Sequence, residues 1–188
     1  MLAALASAQA AHDPSTAAHC ARVTYLAGRL AAWMGWNDAH LRQLAVGSRL
    51  HDIGKVMISE TILRKRGPLS PQELDEIRKH PRAGASLIGP VDEAEDALPF
   101  VLYHHERWDG GGYPTKRIGP DVPDGARLLA VVDAFDAMTS TRPYRRALPT
   151  FHALAEIERC AGTQFDPKIA SAFLQAWSAG AFAEAAAM

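Results

Sequence analysis

HHERWDGGGYP, residues 104–114, sets two adjacent histidines and a glutamate against an aspartate, three glycines and a Tyr-Pro pair. Imidazoles and carboxylates are the donors a divalent transition metal prefers. Glycines let the backbone turn through conformations closed to other residues and come close to a ligand, and Pro114 fixes the exit of the loop. By itself the stretch reads equally as a helix end with a glycine turn and two surface histidines. The decision comes from its flanks. Upstream, residues 92–105 read as a helix that turns Ala94, Ala97, Leu98, Val101 and Leu102 inward. Downstream, the loop from Glu106 to about Asp124 is long and rich in Gly and Pro, and long ordered loops in compact domains are usually functional. Ala126 to about Ser140 is then a mostly apolar helix. An aspartate in so apolar a run is costly to bury unless it is paired or binds metal, which singles out Asp133 and Asp136.

Further outward the pattern stays helical. From about Pro14 to Trp36, Val23, Leu26, Leu30 and Trp33 recur at three- and four-residue steps as one apolar stripe, with His19 and Arg22 on the same helix. Asn37 or Asp38 caps a second helix that delivers HDIGK, residues 51–55. Ser70-Pro71-Gln72-Glu73 is a capping box with proline at the first helical position, and His80 precedes Pro81 at a helix boundary. Closing helices run from about Thr150 to Cys160 and from Asp166 to about Trp177. The basic cluster Arg64, Lys65 and Arg66 reads as a solvated face. The expected fold is all-α, a single-domain helical bundle of about seven to nine helices, with no internal repeat and no strand.

The bulk composition narrows the class. A chain of 188 residues, 48% hydrophobic and 22% charged, suffices for one real core. A net charge of −1 recommends neither DNA nor an anionic membrane as partner. The opening MLAALASAQAA lacks the basic start of a signal peptide and reads as a linker-like helix over residues 1–12, ahead of a catalytic domain over 13–188. No run has the length of a membrane span. Cys20 and Cys160 form no C-x-x-C and suit a reducing, cytoplasmic setting.

Of the eight histidines, five fall at telling places: His19 on a helix, His51 beside Asp52, His80 at a helix end, and His104 with His105. Asp133 completes the set. Neighbours on a helix point about 100° apart, so His51 and Asp52 suit two ions, with Asp52 bridging, and His104 and His105 would address two adjacent metals. The doublets favour a dinuclear centre over a single ion.

These motifs resemble the HD-GYP cyclic di-GMP phosphodiesterases of the HD hydrolase superfamily. The resemblance covers roughly residues 12–178: HCARV at 19–23, HDIGK at 51–55, KHP at 79–81, HHERWDGGGYP at 104–114 and VVDAFDAMTSTRPYR at 131–145. One HD doublet is a weak signal, whereas all five in order are highly specific. The resemblance implies an HD-type bundle with His19, His51, Asp52 and Asp133 as the superfamily's shared ligands, and His80, His104 and His105 as those of this branch. Some members place a glutamate four residues before the first histidine and hold a third metal. Ser15 stands there, so two ions are expected, iron first and manganese second, with zinc compatible with the donors.

By the same resemblance the reaction is attack of a metal-held hydroxide on a phosphodiester of cyclic di-GMP, giving pGpG, with GMP as the alternative end product. Asp52 and Lys55 are the catalytic candidates, Lys55 neutralising developing charge or protonating the leaving 3′ oxygen. Arg142 and Arg145 would grip the substrate's phosphates, joined in substrate binding by Lys55, Gly112 and Tyr113; Tyr113 either stacks on a guanine or anchors the loop. Asp136 orients a ligand histidine, Asp109 ties the loop by hydrogen bonds, and Glu106 either supports a ligand or is structural. The GYP loop is linked in the family to contacts with diguanylate cyclase (GGDEF) domains, and a regulatory domain usually lies upstream, with none in this chain. A cyclic di-GMP sensor without turnover, and a phosphodiesterase for another cyclic dinucleotide such as cyclic GAMP, are the competing readings.

Overall fold

A computed structural model describes residues 1–141 and 146–182, without the side chains of Pro14 and Ser15. The described elements are α1 (Leu2–His12), α2 (Pro14–Trp33), α3 (Asp38–Leu50), α4 (Glu60–Leu63), α5 (Pro71–Ile77), α6 (His80–Ile88), α7 (Leu98–Tyr103), α8 (Asp124–Thr139), α9 (Thr150–Arg159) and α10 (Pro167–Ser178). Short 3-10 turns at Ile53–Met57, Asp92–Ala97 and Gly119–Asp121 join them. The fold is the expected all-α bundle.

Local chemistry sets the boundaries. Asn37 caps α3 by accepting from His40 N. Ser70 and Glu73 form the capping box of α5, and Asp166 accepts from Lys168 N and Ile169 N at the start of α10. Two expectations need correction. The helix read over 92–105 is a 3-10 turn followed by α7, because Pro99 cannot continue a helix from its amino side but is tolerated in a first turn. Trp33, placed on the inward stripe, is 47% exposed at the very end of α2. The chain turns through Gly35, at φ +77°, and Trp36 packs on the core instead.

Two apolar clusters hold the bundle. The larger joins α2, α8, α9 and α10 through Leu26, Leu30, Leu128, Val132, Ile157 and Phe173. Each fully buried large side chain there contributes roughly 1.5–3 kcal/mol. The smaller gathers Leu50, Ile53, Ile88, Val91 and Val101, and Leu2 and Leu5 of α1 pack against it.

Glycines bring the elements close enough to build a site. Phe100 of α7 lies against Gly47 of α3 and Gly125 of α8: a Cβ at either would come within 2.8 Å or 2.5 Å of its ring. Gly54 has no room for a side chain, because a Cβ there would strike the His80 carbonyl and lie 2.5 Å from Gly84 N. That contact presses the turn after Asp52 onto α6. Among the described residues, no helix is long and apolar enough to cross a membrane.

Candidate metal centre

Seven side chains from α2, α6, α8 and the segments following α3 and α7 converge at one place. They form two groups, Asp52 with His80, His104 and His105, and His19 with His51 and Asp133; within each, the donor atoms lie within 4.8 Å of one another. Asp52 sits between them. Its Oδ1 is 3.3 Å from His80 Nε2, and its Oδ2 is 3.5 Å from His51 Nε2 and 3.9 Å from His19 Nε2. His19 Nε2 also lies 3.0 Å from Asp133 Oδ1. His104 and His105 fall in the same group, not one in each as helical spacing suggested. The reason is that α7 ends at Tyr103, so the 100° rule no longer governs them.

Three imidazoles are oriented by the backbone. Nδ1 of His51, His80 and His104 each faces the carbonyl three residues earlier: Ser48 at 2.7 Å, Ile77 at 2.7 Å and Val101 at 2.8 Å. A carbonyl only accepts, so each Nδ1 carries the proton and each Nε2 is left with a lone pair in the neutral ring. His19 is held differently. Its Nδ1 lies 2.6 Å from Asp136 Oδ2, and Arg22 grips the same carboxylate at 2.6 Å and 3.0 Å while donating to Ser140 Oγ at 2.9 Å.

This arrangement fits a cation. Buried His51 Nε2 has no hydrogen-bond partner. The Nε2 atoms of His80 and His104 stand 3.2 Å apart with both Nδ1 protons committed elsewhere, so two lone pairs converge, and a divalent ion satisfies them. The electrostatics differ between the two groups: the carboxylates favour positive charge at His19 and His51, charge that an ion would supply in exchange for a proton, and burial keeps His104 and His105 neutral. Burial lowers His19, but Asp133 and Asp136 overcome it and raise its pKa to about 9. Burial lowers His51 as well, and Asp52 leads the charges that raise it to about 9. Burial opposes ionisation of Asp52 and Asp133, yet Lys55 and His51 at Asp52, and His19 at Asp133, hold both well below the usual carboxylate range. Burial pushes His104 down and His105 down to about 3, keeping both neutral, as metal ligation requires.

Lys55 places its ammonium 2.6 Å from Asp52 Oδ2. Gly112 is buried, and a Cβ there would lie 2.5–2.6 Å from backbone atoms of residues 105–107, so its place in the loop is a close-packing one. The Tyr113 ring stacks on His105 at 4.8 Å and 29°, so one of its faces is covered. Arg142 and Arg145 lie outside the described residues, as does the side chain of Ser15.

The partners around the centre were only partly legible in the sequence. Glu106, buried, accepts from Thr115 N at 2.6 Å, Thr115 Oγ1 at 2.8 Å, Lys116 N at 3.1 Å and Arg117 N at 3.2 Å, binding the loop back onto the histidine pair. Asp109 receives Arg107 and Gly111 N. Cys20 lies behind the site, Sγ 4.0 Å from His51 Nδ1, and takes a hydrogen bond from buried Gln9. Arg22 was detectable, three residues after His19 on one helix face.

Known proteins agree with this architecture. The HD domain family model matches residues 4–169. A cyclic di-GMP phosphodiesterase of Thermotoga maritima is 36% identical over 87% of this chain and 45% of its own length. A 3′3′-cGAMP-specific phosphodiesterase 2 of Vibrio cholerae is 34% identical over 92% of this chain and 34% of its own. The chain thus spans under half the length of both relatives. An HD-GYP-type protein from Bdellovibrio bacteriovorus superposes with a TM-score of 0.69 at 20% identity, covering 86% of this chain and 52% of that one, which speaks for the fold alone. With its five motifs in order, its helical bundle and a family match over most of its length, the chain belongs to the HD domain family.

Proposed function

We propose that this protein is a metal-dependent phosphodiesterase that opens cyclic di-GMP to linear pGpG. The observation that carries the reading is the pair of adjacent donor groups with Asp52 facing both, and three imidazoles oriented by backbone carbonyls. His19, His51 and Asp133 would hold one ion and His80, His104 and His105 the other, with Asp52 between. Iron is the first choice and manganese the second, since the donors are nitrogen and oxygen. When bound, such a pair of ions activates water and draws charge from a phosphodiester.

The protein's own groups do the rest. Lys55, beside Asp52, neutralises charge on the phosphate or gives a proton to the leaving 3′ oxygen. Arg142 and Arg145 grip phosphate oxygens. Tyr113, stacked on His105, walls the site, and Gly112 keeps the loop tight against it. Residues 13–188 are the catalytic unit, working in the cytoplasm, with 1–12 as the connection to a regulatory domain. The GYP loop offers a face to diguanylate cyclase domains.

The test is hydrolysis of cyclic di-GMP by anaerobically purified, iron-loaded protein, with products resolved by chromatography. Release of pGpG supports the reading. Metal-replete protein that binds cyclic di-GMP without cleaving it is a sensor. The Vibrio cholerae relative named as cGAMP-specific makes 3′3′-cGAMP the second substrate to assay, and a clear preference for it reassigns the substrate within the same chemistry.

A further inference from the structure

Beyond the site, a cation stands at its rim. Arg78 follows α5 and is exposed, and its guanidinium carbon lies 5.9 Å from the centre of the Tyr113 ring. Tyr113 stacks in turn on His105, whose ring lies 4.1 Å from that of His104 and 5.0 Å from that of His80. A column of rings thus runs from the candidate metal centre to the surface and ends in a positive charge. Arg82, on α6, donates to the Pro114 carbonyl at 3.0 Å and keeps this part of the loop against the helix. The position of Tyr113 relative to Arg78 is therefore built in.

We propose that Arg78 is a substrate-binding residue that grips the phosphate not being cleaved. This rests on the proposed function. A cyclic dinucleotide carries two phosphodiesters in one ring, so placing one at the histidine and aspartate groups leaves the other a short way outward, still charged. A guanidinium resting on an aromatic ring keeps its N–H edge free for a bidentate grip on phosphate oxygens. Its other neighbour, Asp75, touches it at 3.3 Å, with the two side chains 56% and 71% exposed. An ion pair so exposed is weak and exchanges readily for a better anion. Lys55 stands beside Asp52 at the phosphate being cleaved, and Arg78 adds a cation farther out, beside Tyr113.

The test compares wild type, Arg78→Ala and Arg78→Lys on cyclic di-GMP and 3′3′-cGAMP, with metal content measured on each protein. Loss of a charge-assisted contact predicts a KM increase of roughly 10- to 100-fold for Arg78→Ala, with kcat changed by less than about threefold and metal retained. Arg78→Lys should recover only part, because an ammonium makes no bidentate grip. The two nucleotides share their phosphates, so the effect should be equal on both, read as an inhibition constant where one is not cleaved. An unchanged KM overturns the assignment. An effect on one nucleotide alone makes Arg78 a base reader and overturns the phosphate role. Wild-type protein that neither binds nor cleaves either nucleotide removes the proposed function itself, and Arg78's role with it.

Discussion

The two halves of the candidate metal centre are braced in different ways. On one side, His80 and His104 lean on main-chain carbonyls of Ile77 and Val101. On the other, His51 leans on the Ser48 carbonyl in the same way, but His19 leans on the Asp136 carboxylate, itself pinned by Arg22. The first half is a product of helix ends, so it depends on how the backbone is packed. The second shares that brace at His51 but also depends on side chains of α2 and α8, so single substitutions reach it directly. Asp52 belongs to both halves, and Lys55 stands beside it.

Breaking the shared member has the largest expected effect. Asp52→Ala should lower cyclic di-GMP hydrolysis more than about a thousandfold and strip bound metal from both halves. Activity that survives this change would mean that Asp52 is not the bridge. Gly54→Ala attacks the backbone-built half. The new methyl group meets the His80 carbonyl and Gly84 N, main-chain atoms that yield poorly, so the cost should reach the top of the usual overpacking range, about 3 kcal/mol. For a chain of this size that lowers Tm by about 6–12 °C, read by calorimetry. A wild-type Tm would refute the close crossing.

Asp136→Asn attacks the side-chain-built half. Losing the charge behind His19 should weaken metal binding there by roughly 10- to 100-fold, with Tm lowered far less than by Gly54→Ala. Metal titration followed by calorimetry separates the two sets of ions, and equal weakening of both would erase the distinction between the halves. The smallest effect is expected from Glu106→Gln. It leaves the donor groups in place but removes a charged acceptor from the loop amides of residues 115–117, each such bond contributing about 1.5–3 kcal/mol. Hydrogen exchange at those amides should accelerate at least about tenfold while metal content holds.

Much of this was readable before any coordinates. Helical spacing and capping residues placed α2, α3, α5, α8 and α10, because Ser70, Asn37 and Asp166 act within their own first turns. Motif order was enough to nominate the seven side chains that now converge. Three features were not readable. Pairing of His104 and His105 in one group depends on where α7 stops, and Pro99 moves its start. The fit of Gly54 under the His80 carbonyl joins residues far apart in the chain, and a lone glycine does not announce its neighbour. Arg78 lies over Tyr113 only because a turn and a loop meet in space, and nothing local to either records it.

The central claim is that two ions sit side by side, one in each half. Crystals grown with manganese and measured for anomalous scattering test it most directly. Two peaks about 3.5–4 Å apart are predicted, one touched by His19, His51 and Asp133, the other by His80, His104 and His105, with Asp52 reaching both. A single peak, or peaks away from these side chains, would contradict it.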